Sequence, residues 1–354
     1  MSDEEENKII TLEKKEPPEK WEINKQLELF GNFLTNDNKS VSNTIEFWEG
    51  IPKYFINSKQ QEKLRTEAGH ADPQKREYIK DGITYIAKIQ PALIEQPDGT
   101  YKAFFPSVTE ELIEETLKKI MSDQRYITQD ANQAETWVKF SLHMIQKELK
   151  EHGKARSLDE IKHAIDVMSR SVIILFKGKK EIWTGAILQD LVTVDREEYK
   201  GNPTSLHVAR LPLFISKAIN HLEYRQFNYK RLMNSKNQLT RYIYKRLINK
   251  YTHANYLNDY HFLYSKIKKE SGLLEAKEER ENRRKLKNAL DELIKIGVIY
   301  SYDAENKNEG KKIIDIKYTV KPSQEFISEQ KAANKRQNNI IDIAQDKNNL
   351  PVDN

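Results

Sequence analysis

Cysteine is absent from all 354 residues, which excludes a disulfide scaffold and a cysteine-ligated zinc site. Long apolar runs are missing too: none approaches the roughly 18 residues a membrane span needs. The first ten residues, MSDEEENKII, are acidic and lack the basic-then-apolar order of a signal peptide. A cytoplasmic chain with no membrane partner is the expectation. No Gly-x-x-x-x-Gly-Lys-Ser/Thr occurs, and Gly153-Lys154 lacks both the upstream glycine and the following hydroxyl residue, so nothing supports ATP hydrolysis on a P-loop. The eight histidines are scattered without a His-x-His pair, and neither a metal nor any other cofactor is expected. His261, beside Phe262, fits a surface or helix-cap position.

Acidic residues are locally missing as well. None lies between Glu223 and Asp259, an interval holding Arg225, Lys230, Arg231, Lys236, Arg241, Lys245, Arg246 and Lys250. A block of one sign repels itself unless it meets a polyanion, and phosphate backbones are the usual one. A solvated helix face is the plainer alternative. The interleaved Tyr224, Phe227, Tyr229, Tyr242, Tyr244 and Tyr251 show that the segment folds rather than dangles, with Tyr242 and Tyr244 at core spacing.

Between polar tails at 1–42 and 326–354, two units repeat one order of elements. In the first, residues 43–200, Ile83–Glu95 and Tyr101–Phe105 flank a Pro97-Asp98-Gly99 turn and read as a hairpin. Ser107-x-x-Glu110 and Ser157-x-x-Glu160 are capping boxes, and a helix is expected between them over residues 132–149. Val172–Phe176, the basic turn Lys177–Lys180 and Ile182–Leu188 then form a second hairpin. In the second unit, residues 205–325, Leu211–His221 reads as a connecting helix and Ser235-x-x-Gln238 as a third capping box. Phe262, Leu263 and Ile267 fit a further helix, and residues 275–296 another. Val298–Tyr302 and Ile313–Lys321 follow as strands around a ten-residue polar loop, the latter alternating strictly between apolar and polar. Three helices and a hairpin outline a winged helix. The expected fold class is therefore α+β, mainly helical, with two tandem winged-helix domains.

Residues 277–302, KEERENRRKLKNALDELIKIGVIYSY, change character at Leu286. From there Leu286, Leu290, Leu293 and Ile294 recur at helical spacing, while everything before is polar. At about 100° per residue, Lys287, Arg280, Arg284 and Lys277 fall between about 100° and 180° from Leu286, with Arg283 at the boundary. Such a helix is anchored by its back half and offers a basic front to a major groove, where an arginine fork matches guanine O6 and N7. Lys307, Lys311 and Lys312 in the polar loop suit an adjacent phosphate backbone, as do Lys236, Arg241 and Lys245. A surface helix laced with salt bridges is the competing reading of the basic front.

Three stretches resemble the bacterial plasmid replication initiators, the RepA-type Rep proteins. They are FWEGIPKYF (Phe47 to Phe55) with its Trp-x-x-Ile-Pro-Lys-Tyr element, RQFNYKRLMNSKNQLTRYIYKRL (Arg225 to Leu247), and the Leu-x-x-x-Leu-x-x-Leu-Ile-x-x-Gly-x-Ile pattern from Leu286 to Ile299. The resemblance spans residues 45–322. It implies that the second unit binds direct repeats of double-stranded origin DNA through Arg280, Arg284 and Lys287. The first would contact a neighbouring groove or a second subunit. It further implies opening of an AT-rich segment, recruitment of the host initiator and replicative helicase, and a monomer–dimer equilibrium in which dimers repress the gene. Two alternatives stay open: a winged-helix transcriptional regulator, and a nicking initiator with a tyrosine nucleophile. No catalytic constellation is visible, so a binding protein rather than an enzyme is expected.

Overall fold

The computed structural model describes residues 40–346, apart from 81, 125–126, 131–134, 195–205, 221–222 and 311. Most of the expected N-terminal tail, and residues 347–354 of the C-terminal one, lie outside the described residues. Helix accounts for 43% and strand for 33%, so the fold is a mixed α/β one and not mainly helical.

The chain opens with β1 (Val41–Thr44), α1 (Glu46–Gly50) and α2 (Ser58–Leu64), then β2 (Gln74–Lys80), β3 (Ile83–Gln90), β4 (Ala92–Glu95) and β5 (Tyr101–Phe104). The expected strand through Ile83–Glu95 is cut at Pro91, which cannot donate to a ladder. Its front half joins β2 and its back half makes the β4–β5 hairpin. Helix α3 (Val108–Gln124) begins where expected, with Ser107 N donating to Glu110 Oε2 over 2.7 Å.

Residues 132–149 do not form one helix. Glu135–Phe140 is strand β7, pairing with β6 (Ile127–Asp130) and β11 (Leu206–Arg210). Thr136, Val138 and Phe140 are buried in alternation, a period of two that the larger pattern of apolar residues concealed. Helix α4 (Leu142–Glu151) starts only after Ser141, whose hydroxyl accepts from Met144 N. Helix α5 (Leu158–Arg170) has the full Ser157/Glu160 capping box, and β8 (Val172–Lys177) and β9 (Lys180–Gly185) follow. These join β2 and β3 in a sheet ordered β2-β3-β8-β9, while β10 (Gln189–Val194) closes the other sheet on β11. Residues 206–210 thus belong with the first half of the chain.

The second half contains α6 (Leu213–Asn220), β12 (Arg225–Asn228), α7 (Tyr229–Asn234) and α8 (Gln238–Lys250). Next come β13 (Tyr260–Leu263), α9 (Tyr264–Ser271), α10 (Glu279–Lys295), β14 (Ile299–Glu309), β15 (Lys312–Pro322) and α11 (Gln324–Asp346). Phe262 and Leu263, expected on a helix, lie on β13, and only Ile267 is helical. Ser235 does not cap α8: its hydroxyl donates to Leu232 O. The ten-residue loop is absent, since β14 and β15 pair from Ile299↔Pro322 out to Glu309↔Lys312. Both expected strands are present, and polar side chains on both faces disguised only the outer half of β14, which is exposed throughout. Where a polar tail is expected from residue 326 on, Gln324–Asp346 is a helix that buries Phe326, Ile327 and Ala333.

One hydrophobic core runs through both halves, and β1 pairs antiparallel with β12. Helix α3 stands at the centre, buried on every side from Glu110 to Met121. Its apolar side chains serve α4 and α5. Its Glu111, Glu114, Glu115 and Lys118 recur at i, i+3, i+4 and i+7, so they share one face, which meets α1 and α8. Arg241 of α8 forks onto Glu111 (2.6 and 3.0 Å). Lys245 lies 2.7 Å from Glu49 and 2.5 Å from Glu115, and Lys118 meets Glu49 and Glu115. Lys53 bridges Trp48 O (2.7 Å) and Glu114 (3.8 Å), and Glu114 also accepts from Trp48 Nε1 and Tyr54 Oη. Four carboxylates thus face four cations, all shielded from water.

Breaking one buried pair costs about 3–5 kcal/mol, whereas replacing both partners by apolar residues is often near neutral. Arg241→Met is therefore expected to lower stability by that amount and Glu111→Leu added to it to recover most of the loss, read from urea midpoints. Burial alone would raise the carboxyls of Glu49 and Glu114, but the facing lysines, Lys118 foremost, hold both below their ordinary value. A carboxyl depressed on folding stabilises above its unfolded value of 4.5 and loses that contribution as pH falls. Stability should hold from neutral pH to about pH 5 and then decline, with a shallower acid limb in Glu49→Gln.

Candidate nucleic-acid interface

Helix α10 forms because Leu286, Ala289, Leu290 and Leu293 repeat at i, i+3, i+4 and i+7 and are all buried. Full burial of each leucine contributes about 1.5–3 kcal/mol, enough to anchor the back half on α8. At the other end Glu278 occupies the N-cap without a side-chain bond. Buried Asn282 takes over, donating to Ala276 O (2.9 Å) and accepting from Ala276 N (2.8 Å). Gly297, at φ 70°, turns the chain out of the helix in the left-handed conformation that glycine adopts without cost, and its carbonyl accepts from Arg231 and Ser323.

The acidic residues of α10 are each engaged. Glu279 accepts from Tyr264 Oη (2.5 Å) and from Lys268. Glu281 stands 3.8 Å from Lys285, and Asp291 meets Lys287 (3.3 Å) and Tyr302 Oη (2.8 Å). Glu292 accepts from Lys236 N, Asn237 N, Asn237 Nδ2 and Thr240 Oγ1, so a carboxylate of α10 does the capping expected of Ser235. Burial alone would raise its pKa, but these donors hold it low.

With those pairings made, Arg280 and Arg284 are exposed and have no ion pair or hydrogen bond among the described residues. Lys287 is also exposed, reaching only Asp291. The three share a shallow groove with Arg283, whose opposite wall is Tyr302, Ala304 and Tyr318 of the β14–β15 hairpin. Arg283 is half-buried, its guanidinium 5.9 Å from the Tyr264 ring, so it packs as well as faces outward. Lys277 is exposed but precedes the helix, which starts at Glu279; its place on a helical wheel does not apply.

Lys307 and Lys312 are exposed on the outer rungs of the hairpin, opposite Asp315 and Glu309, rather than on a free loop. Lys311 lies outside the described residues. Lys236 is exposed at the start of α8, beside the Glu292 end of α10 and about 18 Å along the helix from Arg280. Arg241 and Lys245 are corrections: both are buried and neutralised by Glu111, Glu49 and Glu115, out of reach of a nucleic acid. Arg246 likewise pairs with Glu270. The acid-free stretch did require anions, and α3, 130 residues away, supplies two of them, Glu111 and Glu115. The signal was there in EELIEETLKK, whose carboxylates share a helical face.

In the first half, the outward side of α5 carries Asp159, Glu160, Lys162, Asp166 and Arg170, and Arg170 reaches Asp166 at 3.6 Å. It lacks a free cationic face like that of α10. Lys177, Lys179 and Lys180 are exposed at the β8–β9 turn. Among the described residues no helix is long and apolar enough to cross a membrane.

No family model matches the chain, and no curated protein matches it. Solved structures do. Domains 2 and 3 of RctB match in two crystal structures, at 14% identity over 77% of this chain and 97% of the other (TM-score 0.47), and at 12% over 76% and 97% (0.44). The Pi initiator protein in complex with iteron DNA matches at 13% identity over 61% of this chain and 90% of the other (0.41).

Asn282→Ala would strand two backbone groups of Ala276, at about 1–3 kcal/mol. A lower urea midpoint together with faster amide exchange in residues 276–281 is the expected result.

Proposed function

We propose that this protein is a sequence-specific double-stranded DNA-binding replication initiator built on two winged-helix units, with α10 as its recognition helix. The observation that carries the DNA-binding part is the pair Arg280 and Arg284: two exposed guanidinium groups without partners among the described residues, on a helix whose acidic residues are all engaged, beside a groove walled by a hairpin. The order α8, β13, α9, α10, β14, β15, with the sheet ordered β13-β15-β14, supports reading that hairpin as a wing. The resemblance of residues 45–322 to RepA-type initiators supplies the rest: repeated sites at a plasmid origin, opening of adjacent AT-rich DNA, and recruitment of the host initiator and helicase in the cytoplasm.

In this reading Arg280 and Arg284 read base edges, Lys287 and Lys277 add charge at the groove, and Lys307 and Lys312 lie along the phosphates. Opening the duplex draws on many binding events, and the protein performs no chemistry of its own. Tyr302 faces the groove, but burial and then Asp291 raise its phenol pKa, the reverse of what a tyrosine nucleophile needs.

The test uses duplexes from the DNA flanking the gene and a random duplex of equal length. Arg280→Ala and Arg284→Ala should each weaken specific binding by about 1–3 kcal/mol at unchanged urea midpoint. Equal losses on both duplexes would make them phosphate contacts. A wild-type chain that binds neither duplex would sink the reading, and a palindrome as the preferred site would favour a transcriptional regulator. Lys307→Gln with Lys312→Gln should flatten the dependence of log K on log salt.

A further inference from the structure

A second cleft adjoins the groove of Arg280 and Arg284 at Arg283. Its walls come from both halves of the chain: Lys75, Arg76 and Glu77 from β2, Lys268 and Lys269 from α9, and Arg283 from α10. Ile313 and Ile314 of β15 line it as well, and Ile314 is more than half exposed. Arg283 belongs to both clefts, so the two meet at that side chain.

Five cations line this cleft against three carboxylates, and the carboxylates are all engaged. Glu77 lies 2.7 Å from Lys269, Glu275 lies 3.1 Å from Arg76, and Glu279 holds Lys268. Lys75 is exposed and makes no ion pair or hydrogen bond among the described residues, and Arg283 has no carboxylate in reach, only the Tyr264 ring. The surplus charge therefore sits at those two residues, one from each half. The Glu77–Lys269 and Arg76–Glu275 pairs link β2 to the second half, and Arg76 also covers the Phe55 ring at 4.7 Å, so the β2 backbone that carries Lys75 lies against the second half.

We propose that this cleft grips the phosphodiester backbone of the DNA strand leaving the α10 groove, with Lys75 of the first half as its outer cation and Arg283 as the shared hinge point. The proposal rests on the reading of α10 as a DNA-binding helix and extends the footprint across the boundary between the halves. A phosphate contact adds affinity and orientation without sequence preference, and each one contributes about 0.9 to the salt slope.

The experiment measures binding of the full chain to a fluorescein-labelled random duplex between 50 and 200 mM KCl for wild type, Lys75→Gln and Lys179→Gln. Lys179 is an exposed lysine of the same sheet, about 20 Å away by strand spacing. Lys75→Gln should lower the slope of log K against log salt by about 0.9, and Lys179→Gln should leave it unchanged. Binding with an unaltered slope in Lys75→Gln would overturn the cleft and leave the α10 reading standing. Equal reductions in both variants would overturn it too, because only diffuse charge would then be acting. A wild-type chain that fails to bind the duplex would overturn both.

Discussion

The fork of Arg241 onto Glu111, with Lys245, Glu49, Glu115 and Lys118 beside it, is the constraint on which the remainder of the molecule depends. A purely apolar junction could slide or repack at small cost. A buried charge cannot, because any register that removes its partner costs several kcal/mol. The junction in turn positions α8, and α8 positions α10 through Glu292, which binds Lys236, Asn237 and Thr240 at the helix start. A chain of named contacts therefore runs from the centre of the first half to the exposed face of Arg280 and Arg284.

The cations divide into two populations. Arg241, Lys245 and Arg246 are consumed in holding the molecule together, although they sit in the most basic stretch of the chain. Arg280, Arg284, Lys277 and Lys75 lie outside such pairs, and the acids Glu279, Glu281, Asp291 and Glu77 near them are engaged elsewhere. Free charge at the surface is thus a product of how the acids are allotted, not of how many basic residues a segment holds.

This allotment also explains what could be read from the chain in advance. Helix α10, its apolar anchor, its exposed arginines and its glycine exit depend on neighbours within a few turns, and each was legible. So were the capping box of α5, the start of α3 at Ser107 and the β4–β5 turn. Arg241 and Lys245 were misread because their partners are far away in sequence, and charge density says nothing about distance in space. Residues 135–140 were misread because a strand and a helix shared one apolar run, and the outer half of β14 because residues that stand in water carry no buried stripe, whereas β15 was legible from its alternation. The cleft at Lys75 had no sequence signal, since it exists only where β2 meets α9.

The pairing of β1 with β12 bears on how the chain comes to be folded during synthesis. Val41 waits for Asn228, and Glu111 and Glu115 of α3 wait for Arg241 and Lys245, so the central helix is left with unmatched charge until residue 245 has been made. Contacts of such long range form late and slowly, and half-made chains with unmet surfaces are the ones that associate wrongly. The first half is therefore a poor candidate for a stand-alone domain: cut after residue 210, it would keep its two four-stranded sheets but lose the partner of β1 and the Arg241 and Lys245 counter-charges of its own central helix.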